Sequence, residues 1–92
     1  MDRAGDGGTG GTVQVRIRLF ASYAEAAGRD ELDIVLATGA TAGDALAAVR
    51  GQAWASRLPP SPALAINRRY AKGAVVLQDG DEVAIIPPVA GG

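Results

Sequence analysis

The sequence contains no cysteine and no histidine among its 92 residues. The missing cysteine excludes a disulfide framework and a thiolate nucleophile, and both absences together exclude a zinc site built on these side chains and an imidazole base. Any chemistry must therefore come from carboxylates, hydroxyls, amines or the end of the chain. We expect no metal site and no bound cofactor.

The net charge is small, and the sequence has no long apolar run. A net charge of −1 gives no basic footprint for nucleic acid or for an anionic membrane surface. No apolar run is long enough to span a bilayer, and the N-terminus lacks the apolar core of a signal peptide. These features predict a soluble, cytoplasmic protein with no nucleic-acid or membrane partner.

The length of the chain predicts a single domain. Residues 1–12 hold five of the 13 glycines and almost nothing apolar. Such a segment cannot bury enough surface to offset its ordering entropy, so we expect a disordered tail there. Residues 13–88 carry the periodic patterns of a folded domain, and residues 89–92 are expected to form a flexible tail.

Several segments alternate between apolar and polar side chains, which is the pattern of half-buried strands. In residues 13–20, Val13 and Ile17 share one face while Arg16 and Phe20 share the other. The pattern returns after a short link, which predicts an antiparallel neighbour. The further strands are predicted at 31–36, at 63–66, at a short edge piece beginning at Tyr70, and at 82–86.

One main helix is predicted from Thr41 onwards. Thr41 and Asp44 have the spacing of a capping box, apolar residues follow at helical spacing, and Gly51 can end the helix. A shorter segment, 23–27, can be capped by Ser22 and ended by Gly28. Strands on one layer and a helix packed across them predict an α+β fold.

The segment from Trp54 to Pro62 is expected to be irregular. Pro59, Pro60 and Pro62 lack the backbone N–H that regular structure needs, and each restricts the residue before it.

The end of the chain has an unusual composition. Two prolines follow the last predicted strand, and they hold the backbone extended and away from the sheet. The terminal glycines have no side chains, so the segment could enter a narrow channel and present its carboxylate to an enzyme. A frayed terminus is the alternative. The residues concerned are Pro87, Pro88, Val89, Ala90, Gly91 and Gly92.

Two large apolar side chains fall on outward faces of strands near this tail. Phe20 shares a face with Arg16 and Arg18, and Ile86 lies opposite Val83 and its inward neighbours. Such a pair indicates a surface that binds a partner. Single exposed apolar residues are also common, and the segment 54–62 could cover this face instead.

Two clusters of charge admit a binding interpretation. The acidic cluster could bind a hard cation, and the basic cluster could contact phosphate or an acidic partner, but solvated turns are the favoured interpretation of both. The acidic cluster is Asp79, Asp81 and Glu82, and the basic cluster is Arg68, Arg69 and Lys72.

Three stretches give the chain its family resemblance. Residues 15–21 (VRIRLFA), Asn67, and residues 79–92 (DGDEVAIIPPVAGG) resemble the small subunit of molybdopterin synthase. The resemblance covers residues 13–92, and the closing segment is its most specific part. It implies a β-grasp, or ubiquitin-like, fold for residues 13–88.

The resemblance also implies a carrier chemistry at Gly92. An adenylyltransferase similar to ubiquitin-activating enzymes would use ATP and Mg²⁺ to convert the Gly92 carboxylate to an acyl-adenylate. A sulfur donor would replace AMP and leave a thiocarboxylate. The sulfur would then pass to a pterin precursor of the molybdenum cofactor.

The implied acceptor of the tail is the large subunit of molybdopterin synthase, which would supply the catalytic side chains. The carrier would thus be non-catalytic alone. Phe20, Tyr70 and Ile86 match apolar contact positions of the family. Sulfur delivery to thiamine or another thio-metabolite, a ubiquitin-like protein modifier, and an inert interaction module remain the alternatives.

Overall fold

The computed structural model describes residues 11–88. Residues 1–10 of the expected N-terminal tail and the whole expected tail 89–92 lie outside the described residues. The elements are strand β1 (Thr12–Leu19), helix α1 (Ala21–Ala27), strand β2 (Glu31–Ala37), helix α2 (Ala42–Val49), a 3-10 helix (Ala53–Arg57), and strands β3 (Ala63–Ile66), β4 (Arg69–Ala71) and β5 (Glu82–Ile86).

The described strands form one mixed sheet of five strands in the order β2–β1–β5–β3–β4. Strand β1 pairs antiparallel with β2, as predicted, and parallel with β5. Strand β3 pairs antiparallel with both β5 and β4. A mixed sheet combined with helices confirms the α+β class.

The alternation along β1 places its apolar residues in the core. Val15, Ile17 and Leu19 are each no more than 1% exposed. Ile17 is paired with Leu32 on β2 and with Val83 on β5, so it contributes to the core from the middle of three adjacent strands. Burying one such side chain stabilises the fold by about 1.5–3 kcal/mol.

Helix α2 buries a stripe of small and branched residues in the same core. Ala42, Ala45 and Val49 recur at helical spacing and are fully buried. Among residues 11–88, no helix has the length and apolar character needed to cross a membrane.

The first turn of α2 has partners for all its backbone donors. Thr41 Oγ1 accepts a hydrogen bond from the Asp44 N–H at 3.2 Å, and Asp44 Oδ2 accepts one from the Thr41 N–H at 2.9 Å. The predicted capping box is therefore confirmed. The N–H groups of Ala42 and Gly43 donate to carbonyls of the segment 73–75, each at 2.9 Å. These bonds fasten the β4–β5 connection to the helix.

Helix α1 begins differently from the prediction. Its N-cap is Phe20, and no side chain makes a capping hydrogen bond, so the cap assigned to Ser22 is wrong. The chain enters the helix through Ala21, whose φ of +49° lies in the left-handed region. The end of the helix agrees with the prediction, because Gly28 has φ +77° and donates its N–H to the Ala24 carbonyl.

The segment from Trp54 to Pro62 is more regular than predicted. Its first part belongs to the 3-10 helix, which packs against α1. Trp54 packs against the core and Leu58 is buried. Helix α2 also ends one residue early, since Arg50 takes the C-cap position expected near Gly51. The apolar contacts of Trp54 and Leu58 with the core stabilise an ordered conformation of this proline-rich segment.

We expect Thr41→Ala to lower the free energy of unfolding by about 1 kcal/mol, because it removes the acceptor for the Asp44 N–H. Urea denaturation would measure the loss. Ser22→Ala is the matched control, and it should cost nothing measurable because Ser22 makes no capping bond. Equal losses in the two variants would contradict this account of the helix starts.

Candidate functional site

The three predicted partner contacts lie together on the face of the sheet that the helices leave uncovered. Phe20, Tyr70 and Ile86 line one open groove with a volume of about 360 Å³. Phe20 is 39% exposed and Tyr70 is 78% exposed. The 3-10 helix and the residues after it do not line the groove, so the segment 54–62 does not cover this face.

The floor of the groove is made of two alanines that the sequence analysis missed. Ala65 on β3 and Ala84 on β5 are directly paired across the sheet, and each is 5% exposed. Their small side chains leave a depression between the larger groups of neighbouring strands. The available signal was alanine at outward strand positions, where larger residues are favoured.

The position of Phe20 depends on the way β1 ends. Phe20 has extended backbone angles, and the left-handed Ala21 turns the chain directly into α1. The aromatic ring therefore stays on the open face rather than following Leu19 into the core.

Arg18 lies in the groove beside Phe20. Its guanidinium carbon is 5.4 Å from the centre of the Phe20 ring, a cation–π distance. Its nitrogens lie 3.6 Å from a carboxylate oxygen of Glu31 on one side and 3.6 Å from one of Glu82 on the other. The two carboxylates compensate the charge of this arginine inside the sheet face.

The groove is bounded by the two-residue turn between β3 and β4. Asn67 and Arg68 have φ values of +51° and +73°. Positive φ at both central residues is the geometry of the tight hairpin turn that matches strand twist. Asn67 tolerates it and also holds the turn, since its Nδ2 donates to Asp81 at 2.9 Å and its Oδ1 accepts from the Glu82 N–H at 3.0 Å.

The acidic cluster holds the connection before β5. Asp79 Oδ1 accepts the Gln14 N–H at 2.8 Å, and Asp81 Oδ2 accepts the Gln78 N–H at 2.8 Å. In the part of the chain that the structure describes, no acidic cluster has the arrangement of a metal site. These carboxylates order the backbone that positions β5.

The basic cluster does not act as one patch. Arg68 lines the groove, whereas Arg69 and Lys72 do not. Successive residues of a strand point to opposite faces, which separates Arg69 from Tyr70.

The predicted tail leaves the sheet at the groove. Ile86 lines the groove, and Pro87 and Pro88 follow it directly. Val89, Ala90, Gly91 and Gly92 lie outside the described residues, so their predicted roles stay predictions.

Sequence comparison adds the family. The sequence model of the ThiS family matches residues 17–92. The chain belongs to the ThiS family. The molybdopterin synthase sulfur carrier subunit of Chlamydomonas reinhardtii is 36% identical over 91 residues, which cover 87% of this chain and 100% of that protein. The resemblance to the small subunits of molybdopterin synthase is thereby confirmed.

Solved structures identify the fold of this ThiS-family chain. SAMP1 from Haloferax volcanii superposes with a TM-score of 0.76 at 31% identity, covering 86% of this chain and 99% of that one. A chain in the complex of subunits 1 and 2 of the molybdopterin-converting factor from Helicobacter pylori has the same fold, with a TM-score of 0.67, 22% identity, and coverage of 87% of this chain and 100% of that one. The expected β-grasp, ubiquitin-like fold is confirmed.

We expect Asn67→Ala to lower the free energy of unfolding by about 2 kcal/mol, because it removes two hydrogen bonds and places a Cβ residue without polar support at positive φ. Asn67→Gly loses the same bonds but accepts the backbone angle, so about 1 kcal/mol is expected. Chemical denaturation would compare them. An equal loss in both variants would show that the backbone angle contributes nothing.

Proposed function

We propose that this ThiS-family protein is the sulfur carrier subunit of a cytoplasmic molybdopterin synthase, and that the carboxylate of Gly92 carries the sulfur atom. The observation that carries the proposal is the position of the groove. Phe20, Tyr70 and Ile86 line the groove, and Pro87 follows Ile86 directly in the chain, which supports a docking surface beside the start of the tail. A partner bound there would receive the tail in its own pocket.

The tail chemistry requires activation by a partner. A carboxylate is a poor acyl donor because its leaving group would be oxide. An adenylyltransferase that uses ATP and Mg²⁺ would join the Gly92 carboxylate to AMP and release pyrophosphate. Sulfide supplied by a donor would then attack the acyl carbon and displace AMP, which gives the thiocarboxylate. This chain would bind neither ATP nor Mg²⁺ as a cofactor of its own.

The second step would take place on the large subunit of the synthase. Pro87 and Pro88 would keep the tail extended, and Gly91 and Gly92 would let it pass through a narrow channel. Because the chain has no cysteine and no histidine, acid–base groups for sulfur transfer to the pterin precursor would come from the large subunit. The chain would act as substrate-bearing subunit rather than as catalyst.

A protein-modifier function is the second candidate, and the likeness to SAMP1, a small archaeal modifier protein, favours it. Both functions begin with activation of the terminal carboxylate. They differ in the acceptor, because a modifier forms isopeptide bonds to lysine side chains. Delivery of sulfur to thiamine or another thio-metabolite would share the thiocarboxylate and differ only in the product.

Incubation with an adenylyltransferase, ATP and a sulfur donor should increase the intact mass by the exchange of one oxygen atom for sulfur, localised to Gly92. Deletion of Gly92 should abolish the gain without changing the melting temperature. Ala90→Gly, which leaves the terminal Gly-Gly intact, is the matched control. Restoration of cofactor synthesis in a null strain by the truncated chain would rule out this mechanism. Lysine-linked adducts without the mass gain would favour the modifier.

Phe20→Asp and Ile86→Asp should each weaken binding to the large subunit about tenfold or more, because each replaces an apolar contact with a carboxylate that must lose its hydration on binding. Calorimetry would measure the dissociation constants. Val35→Asp is the control, since Val35 is an exposed apolar residue, 64% accessible, that lies on β2 away from the groove. Unchanged binding by both groove variants would remove the groove from the interface.

A further inference from the structure

Arg68 occupies a backbone position that its side chain does not favour. Its φ of +73° lies in the left-handed region, where glycine and asparagine are the usual residues. At the second central position of this hairpin turn glycine is strongly preferred. Asn67 offsets its own positive φ with two hydrogen bonds to the β5 strand start, but no hydrogen bond of the Arg68 side chain occurs among the described residues.

The two arginines of the groove differ in their charge partners. Arg18 lies between Glu31 and Glu82, both at 3.6 Å. Within residues 11–88, Arg68 has no carboxylate within ion-pair distance. Glu82 is the acidic residue of the groove lining and is already engaged by Arg18. The charge that the groove offers to an incoming surface is therefore that of Arg68.

The turn places this charge at a defined point. Asn67 ties the turn to Asp81 and to the backbone of Glu82, and the Asn67 N–H donates to the Glu82 carbonyl at 2.9 Å. The Cα of Arg68 is thus fixed relative to β5, and its side chain lines the same groove as Phe20, Tyr70 and Ile86. A guanidinium beside apolar groups suits a carboxylate that is itself flanked by apolar residues.

We propose that Arg68 is a specificity-determining residue of the docking groove, and that it pairs with a carboxylate on the large subunit of the synthase. This inference rests on the proposed function and adds the chemistry of the partner surface. Arg68 selects a partner whose apolar contact area contains an acidic side chain, and it disfavours surfaces that present a cation at that point. The left-handed backbone of the turn directs this side chain into the groove.

The test compares two neighbouring arginines in the full chain. Arg68→Gln and Arg69→Gln remove the same charge one residue apart, and Arg69 does not line the groove. Calorimetry with the large subunit of the same organism should give a dissociation constant about tenfold weaker for Arg68→Gln, while Arg69→Gln stays within about twofold of the unaltered chain. The unaltered chain should also lose more affinity with added salt than Arg68→Gln does.

A third variant separates recognition from folding. Arg68→Gly should show the same loss of affinity as Arg68→Gln, yet its melting temperature should rise by roughly 2–6 °C, because glycine accepts the turn geometry. Weaker binding by a more stable protein is a result that structural damage does not produce.

Two results would overturn the inference alone. The first is an equal effect of Arg68→Gln and Arg69→Gln on affinity, which would mean that Arg68 contributes only to the net charge. The second is an Arg68→Gly variant that binds the large subunit as tightly as the unaltered chain does. A failure of the unaltered chain to bind the large subunit at all would instead overturn the proposed function, and this inference with it.

Discussion

The parallel pairing of β1 with β5 is the interaction on which the rest of the molecule depends. Its register sets Ile17 beside Val83 and Leu19 beside Ile85, and all four are at most 1% exposed. This pairing joins the beginning and the end of the described chain at the centre of the sheet. Because both strands run in the same direction, the last residue of β5 and the residue after β1 lie at the same end of the sheet. The core and the groove therefore both depend on this one strand pairing.

The helices pack on only one face of the sheet, so the other face remains an open surface. The helices bury one face of the sheet, and the opposite face stays open with side chains at every second strand position. On that face Arg18 lies between two carboxylates and lines the same groove as Phe20 and Ile86. The paired alanines beneath them keep the surface concave. The proposed contact area for a partner thus comes from residues that the fold does not need for its own core.

The charged and polar residues of the β3–β4 turn and of the connection before β5 have a structural role, because they hold these segments with hydrogen bonds. Asn67 and Asp81 join the β3–β4 turn to the strand start, and Asp79 joins the same connection to β1. Each carboxylate accepts a backbone or amide N–H that would otherwise lack a partner at a strand end. These hydrogen bonds fix the β3–β4 turn and the start of β5 relative to β1.

Local patterns in the sequence determined the strands, the capping box of Thr41 and Asp44, the α+β class and the composition of the tail, because periods of two and 3.6 residues act over short stretches of chain. The start of α1 was not readable in this way. Ser22 has the right chemistry for a cap, but the path from β1 through Ala21 makes Phe20 the N-cap. Nor could local patterns separate Arg68 from Arg69, or bring Ala65 beside Ala84. Those placements follow from the pairing of strands far apart in the chain, and only the tertiary structure decided them.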